Sequence, residues 1–442
     1  MIERTASARP GAATPLADDV LAFARSLAGE VDGLDDAARV DLLRALEVLK
    51  SAAEGIQAVV AADLDASRRA SAAARGVPGD RQGRGVAHEV ALARRVSPHR
   101  GQRLLALATV LTREMPCTLA ALRTGRITEW SATLLARETA CLSLHDRQQI
   151  DRSLCGDPVA AEQMGPRELG DRARALASEL DPASVVARRS KAEGDRHVTI
   201  RPAPDTMTWL TGHLPVKAGV AVYAALRAEA DRLVAAGDGR GRGQIMADTL
   251  VDRVLGGTVD ASSTVRVNVV IGVDALLAET DEAADIPGHG AVPASTVRDW
   301  IRQALASGGG LELRRLFADP VTGQLVAMES RSRTFPRALS ELIALRDRRC
   351  RTPWCGAPVR HVDHVVSHAD GGPTSADNGQ GLCQACNHAK QAHGWSARPR
   401  PGPGHGVTTT TPTGHTYAST AAALIRGRTG AGGPRVDWAW AA

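Results

Sequence analysis

Apolar residues recur at helical spacing from about Leu16 to Ala74, as Val40, Leu43, Leu46 and Leu49 and then Ile56, Val60 and Leu64. Gly76 to Gly85, with Pro78 and four glycines in all, reads as a loop. Helical spacing returns from Val86 to about Leu180, punctuated by Pro98, Pro116, Pro158 and Pro166. Ser97-Pro98 has the form of an N-cap followed by proline in the first turn. After Gly194 the period changes. Val198-Thr199-Ile200 and Met207 to Thr211 alternate as strands do, whereas Val220 to Ala236 and Met246 to Leu255 are helical again. Val265 to Val273 is a continuous branched apolar run, which predicts a central, mostly buried strand. Arg337 to Arg349 predicts an amphipathic helix with Leu339, Leu342, Ile343 and Leu345 toward a core. Val362, Val365 and Val366 predict a short strand that sets Asp363 and His364 on opposite faces. A turn at Gly371-Gly372-Pro373, a second strand ending near Cys383 and a last helix from about Cys386 follow.

The chain therefore divides into a disordered leader at 1–16, a helical region at 17–194, a small α+β unit at 195–335, a strand–turn–strand–helix module at 336–396, and a Pro/Gly-rich linker and tail at 397–442. In that tail Thr408 to Thr411 and Thr416-Tyr417 suit a small hairpin. The expected fold class is α+β and multidomain, as 442 residues exceed one ordinary domain. Aromatic residues are only 3%, so the cores must be built from Ala, Leu and Val. No run of about eighteen apolar residues predicts a membrane span, and the N-terminus lacks an apolar signal core. Seven cysteines, four of them in close pairs, fit a reducing, cytoplasmic setting. Cys117, Cys141 and Cys155 read as small core residues.

Net charge is +5, and its placement is informative. Residues 331–400 hold eleven Arg or Lys against five Asp or Glu, whereas residues 1–330 hold 40 against 43. A basic footprint confined to the module and its flank suits a polyanion, of which nucleic acid is the usual one. The stretch Ala91 to Ala108 has the outline of a helix-turn-helix, with Arg94, Arg95, Arg100 and Arg103 placed to meet DNA. Two packed helices carrying solvated arginines are the favoured reading there, because the turn has no further signature. Residues 1–330 show no phosphate loop, nucleophile elbow or triad.

The chemistry concentrates in two cysteine pairs, Cys350-x4-Cys355 and Cys383-x2-Cys386. Close pairs at a domain-sized separation are the spacing of a structural Zn2+ site. The 27 residues between the pairs hold an Asp-His dipeptide, a Gly-Gly turn and an Asn. Arg346, Arg348, Arg349 and Arg351 surround the first pair, where they could touch phosphates. His361 shares a strand face with Asp363, while His368 and His393 are expected at the surface. Trp354 and Trp395 flank the module and are expected to cover its small core.

The string Val362-Asp363-His364-Val365, then Gly-Gly-Pro-Thr-Ser, Asn378, and Leu-Cys-x2-Cys followed by Asn387-His388-x-Lys390 resembles the HNH endonucleases and their ββα-metal core. More broadly the chain resembles the actinobacterial HNH proteins that carry a long N-terminal domain of unknown function. That likeness is carried by its Ala/Leu/Arg-rich helices, by Leu119 to Ile127 and by Thr413 to Tyr417. The resemblance implies hydrolysis of DNA phosphodiesters, leaving 5′-phosphate and 3′-hydroxyl ends. His364 would be the general base, because a neutral imidazole accepts a proton near pH 7. Asp363 would hold a hard divalent ion, Mg2+ or Mn2+. Its second protein ligand would be Asn387, if the position straight after Cys386 is the third motif residue, or His388 if the register slips by one. Asn378 would orient the loop around His364, and Lys390 would reach a phosphate. A homodimer would allow both strands to be cut, although no dimer seam stands out. The rivals are a non-catalytic zinc module that binds nucleic acid or protein, and an N-terminal DNA-binding regulator with a degenerate nuclease attached.

Overall fold

The computed structural model describes residues 15–27, 33–256, 269–286, 290–306, 329–330, 334–402 and 404–421, so the expectation for most of the leader lies outside the described residues. Helix α1 (Pro15–Ser26) precedes the long α2 (Asp36–Ala74), whose first turn is capped by the Asp35 carboxylate. Then come α3 (Val86–Ala93), α4 (Pro98–Arg113), α5 (Pro116–Arg123), α6 (Glu129–Glu138), α7 (Leu144–Cys155), α8 (Pro158–Glu162), α9 (Pro166–Leu180) and α10 (Pro182–Gly194). Proline opens α4, α5, α8, α9 and α10, where its missing N–H is no loss. Helix α5 has no cap of its own. The buried Asp151 carboxylate on α7 supplies one, accepting from the N–H groups of Cys117 and Thr118, each at 2.8 Å.

Leu111, Met115, Leu122, Leu135, Ile150 and Leu169 fill the helical core, and alanines 108, 121, 132, 161 and 173 let the helices approach closely. Helix α2 joins this core through Ser51, Gly55, Ala58, Ala61 and Asp65. Its bulky stripe of Val40, Leu43, Val60 and Ile56 faces outward, with Leu43 67% exposed. A wide apolar stripe would hold the neighbouring helices away; the small one does not.

The helix-turn-helix outline resolves into two packed helices. A Cβ on Gly101 would lie 2.5 Å from the Ala87 carbonyl, so α4 rests directly on α3. Arg94 is paired with Glu129 at 3.1 Å, and Arg100 approaches the same carboxylate at 3.8 Å. No single helix among the described residues is long and apolar enough to cross a membrane.

Strands β1 (His197–Pro202) and β2 (Thr208–His213) form an antiparallel hairpin exposed on both faces. Helices α11 (Val216–Ala235) and α12 (Arg242–Leu255) pack on each other around Ala230 and Ile245. The expected central strand at 265–273 is not seen where the chain is described. Residues 265–268 lie outside it, Val270 makes one isolated bridge to Asp285, and Val273 begins the helical turn α13 (Val273–Leu276). Strands β3 (Ala284–Ile286) and β4 (Gly290–Val292) pair beside α14 (Ala294–Ala306), around a small core of Ala284, Val292 and Val297.

In the C-terminal part, β5 (Glu329–Ser330) precedes α15 (Arg337–Asp347), β6 (His361–His364), β7 (Thr374–Ser375), β8 (Gly379–Leu382) and α16 (Gln384–Lys390). Strand β5 pairs with β7, and β6 pairs with β8 with Asp363 opposite Gln380 and His364 opposite Gly379. The start of the expected linker, residues 397–400, is instead part of a strand in a three-stranded sheet, β9 (Ser396–Arg400), β10 (Gly406–Thr410) and β11 (Thr416–Thr420), in the order β11-β10-β9. Val365, Ala397 and Val407 form the small core beneath it.

A buried polar network joins these pieces. Arg346 and Asp347 are 3% and 8% exposed and pair at 2.8 Å. The Arg346 guanidinium also donates to the carbonyls of Ala376 and Gly379, and Asp347 accepts from the Gly381 N–H. This corrects the phosphate-contact reading of the local arginines. Arg346 and Arg351 are buried structural cations, the latter donating to the His405 carbonyl, and Arg348 is paired with Asp285 at 3.1 Å. Only Arg349 of the four is exposed. Arg346→Ala would leave the buried Asp347 carboxylate only the more distant Arg351, at 3.8 Å, as a cationic partner and is expected to cost about 3–5 kcal/mol. Arg349→Ala should change stability by no more than ~0.5 kcal/mol. Urea unfolding of the full chain, followed at the C-terminal transition, checks both values.

Candidate active site and metal centre

The four thiols of the cysteine pairs converge. Cys350, Cys355, Cys383 and Cys386 place all their sulfur atoms within 4.8 Å of one another, with Cys355 Sγ 3.7 Å from both Cys383 Sγ and Cys386 Sγ. A tetrahedral Zn2+ with bonds of about 2.3 Å requires sulfur separations of roughly 3.8 Å, so both spacing and donor set suit zinc. Hydrogen bonding from Cys355 pulls the Cys350 thiol down to about 7. Cys383 is pulled down by Cys350, Cys355 and Cys386, while the donors Cys355 and Cys386 are pushed up. Cys383 is also the N-cap of α16, its sulfur accepting from the Cys386 N–H at 3.4 Å. The last helix thus begins at Gln384, two residues before the position read from the sequence. The other three cysteines sit in the helical region as free thiols, and burial raises Cys155 to about 11.

Beside this cluster lies a cleft of about 940 Å3, lined by residues that include Phe335, Arg360, His361, Asp363, His364, His368 and Lys390. Strand β6 supplies Asp363 and His364. His364 is 9% exposed, its Nε2 is 2.9 Å from Thr374 Oγ1, and the Phe335 ring lies 4.5 Å from its ring. Burial pushes the His364 imidazole below its ordinary value of 6.5, outweighing the nearby Asp363 charge. Lys390 Nζ reaches Asp363 Oδ2 at 2.7 Å and also donates to the His364 carbonyl. His368 is exposed, as expected, but lies edge-on to His364 at 5.6 Å and so belongs to the cleft.

Asn378 is buried and stitches the loop after β6 to the turn before β7. Its Oδ1 accepts from the Val366 N–H, and its Nδ2 donates to the carbonyls of Val366 and Pro373 at 3.0 and 2.8 Å. Asn387 is 9% exposed, and its Oδ1 has no hydrogen-bond partner among the described residues. A buried amide oxygen without a partner is costly and suits a cation ligand. His388 is exposed, and its carbonyl accepts from Arg84 at 3.0 Å. Trp354 lies at the surface against Tyr417, while the Trp395 ring nitrogen is buried.

Several site residues escaped the sequence reading. Thr374 and Phe335 hold the His364 ring, and exposed Arg360 lines the cleft. Only the position of Thr374 just after the Gly-Gly-Pro turn hinted at such a role.

A family model described as Domain of unknown function (DUF222) matches residues 42–347, and one described as HNH endonuclease matches residues 350–393. The two meet between Asp347 and Cys350, so α15 falls in the first. No match is found among curated proteins or among solved structures.

The thiol cluster predicts about one Zn2+ per chain, released to a chromogenic chelator on thiol modification. Cys355→Ser and Cys386→Ser are each expected to abolish that signal and to open residues 350–400 to proteolysis. Full zinc content in both variants would remove the cluster as the site.

Proposed function

We infer that this chain, which belongs to the DUF222 family and carries an HNH endonuclease domain after it, is a metal-dependent endonuclease that hydrolyses DNA. The observation that supports this most directly is the convergence of His364, Asp363 and Lys390 on one cleft, with the unpartnered Asn387 oxygen on the adjacent helix. A zinc module with a purely structural role has no need of that constellation.

His364 is the general base. In the tautomer whose Nε2–H donates to Thr374, the neutral ring keeps its lone pair on Nδ1, which has no hydrogen-bond partner among the described residues. Nδ1 takes a proton from water as the water oxygen attacks phosphorus. The bond to the 3′-oxygen breaks, and that oxygen leaves as a hydroxyl after gaining a proton from solvent. Asp363 and Asn387 are the residues that would hold Mg2+ or Mn2+. When bound, the ion supplies charge neutralisation at the phosphorus and at the leaving oxygen. Asn387 is preferred to His388 because its oxygen is buried without a partner, whereas His388 is exposed. Asn378 is a positioning residue, fixing the loop that follows His364. Lys390 neutralises Asp363 in this structure, and its ammonium is also placed to meet a phosphate oxygen. Arg349 and Arg360, both exposed, are the cations best placed to hold the strand.

The test is nicking of supercoiled plasmid by the full chain with Mg2+ or Mn2+. Activity is expected to vanish with EDTA and to fall at least about 100-fold in His364→Ala. A folded, zinc-loaded wild type that nicks no DNA substrate would sink the catalytic reading in favour of a nucleic-acid-binding module. In the active enzyme, the rate should rise with pH on a limb centred below 6.5 and level off above it, because the base acts when deprotonated and burial disfavours its charged form. A limb centred well above that value would point to a different base.

A further inference from the structure

Helix α16 carries Asn387 and Lys390 but has only seven residues, too few to hold its shape alone. Its N-terminus is fixed by Cys383 and Cys386. Its C-terminal carbonyls have no partners along the helix. One of them, at His388, accepts from the Arg84 guanidinium at 3.0 Å, across 304 positions of sequence. A cation is the favoured partner at a helix C-terminus.

Arg84 belongs to a docking element formed by the end of the 76–85 loop and the start of α3. Gly85 adopts φ +90°, and a Cβ there would fall 2.6 Å from Trp395 Nε1 and 3.3 Å from Ala392 Cβ, so the backbone lies directly on the turn that follows α16. One turn further along, the Glu89 carboxylate is 6% exposed. It is paired with Arg68 on α2 at 3.3 Å and accepts from both the N–H and the hydroxyl of Thr413, at the turn between β10 and β11. Between these contacts sits His88, whose Nε2 is buried without a hydrogen-bond partner among the described residues. Burial lowers the His88 imidazole, and the charge of Cys383 is near enough to oppose that.

We propose that residues 84–89 are a built-in brace for the nuclease site: Arg84 and Glu89 are positioning residues that clamp α16 and the β10–β11 turn, so that the DUF222 region sets the geometry with which Asn387 meets the divalent ion. This inference rests on the nuclease reading for its catalytic consequence. The clamp itself does not, since it stands on contacts between the two regions.

The experiment compares the full chain with Arg84→Ala/Thr413→Val and with the conservative pair Arg84→Lys/Thr413→Ser. Both changes lie at the edge of the clamp and leave the α2–α10 core intact. Two readouts are taken. Hydrogen exchange should be faster over residues 384–395 and 406–420 in the first pair, with zinc content and exchange in α4 to α7 unchanged, and should return toward wild type in the conservative pair. In plasmid nicking, the Mn2+ concentration for half-maximal rate should rise about tenfold in the first pair while the rate at saturating Mn2+ stays within about twofold, and the conservative pair should recover most of the loss. Unchanged exchange in α16 would overturn the brace. Faster exchange with unchanged Mn2+ dependence would overturn its role in positioning the ion site. A wild type that does not nick, paired with altered exchange in the variant, would refute the nuclease reading while supporting the clamp.

Discussion

The ion pair of Arg346 and Asp347 is the interaction on which the C-terminal architecture hangs. Two adjacent residues at the end of α15 bury opposite charges and also reach backbone elsewhere, with Arg351 Nε 3.8 Å from the same carboxylate. Arg346 binds the carbonyls of Ala376 and Gly379, and Asp347 binds the Gly381 N–H. Those three partners flank or belong to β8. Strand β8 is the only neighbour of β6 in its sheet among the described residues, and β6 bears Asp363 and His364. Position of the candidate base is thus traced, through two strands, to one buried pair. Such a pair contributes little net stability over an apolar substitute, but it tolerates the loss of neither partner and fixes one register.

The cleft itself shows a division between groups that hold and groups that are left free. The His364 ring is gripped at Nε2 by Thr374 and on its face by Phe335, leaving Nδ1. Asn378 uses both ends of its amide on local backbone. Asn387, nearly as buried, leaves its oxygen unused. Two asparagines in one small module therefore differ in whether the side-chain oxygen has a hydrogen-bond partner among the described residues.

Much of the outline was legible in the sequence, for local reasons. Proline at the first turn of α4, α5, α8 and α9 marks helix starts because the missing N–H is harmless only there. The cysteine pairs are legible because sulfur spacing is set by the ion they suit. Other features depend on distant partners and leave no local trace. The run of arginines around Cys350 looks the same whether a guanidinium meets solvent or, as at Arg346 and Arg351, two carbonyls or a buried turn. Arg-Pro-Arg-Pro-Gly reads as linker, yet β9 is an edge strand, where Pro399 can sit opposite Val407 without breaking a ladder. Asn387 and His388 differ by one position, and only the rotation of α16 on its neighbours decides which is buried.

The clamp at Glu89 also has a consequence in time. Its partner Thr413 lies 324 positions later, and the Arg84 contact spans 304. A chain that leaves the ribosome N-terminus first can fold its helical region early, since those contacts are local. The docking element then waits, already shaped, until α16 and finally the β10–β11 turn emerge. Assembly of the cleft is coupled to the arrival of nearly the last described strand, so a chain interrupted before it carries the candidate side chains of the cleft without the frame that brings them together.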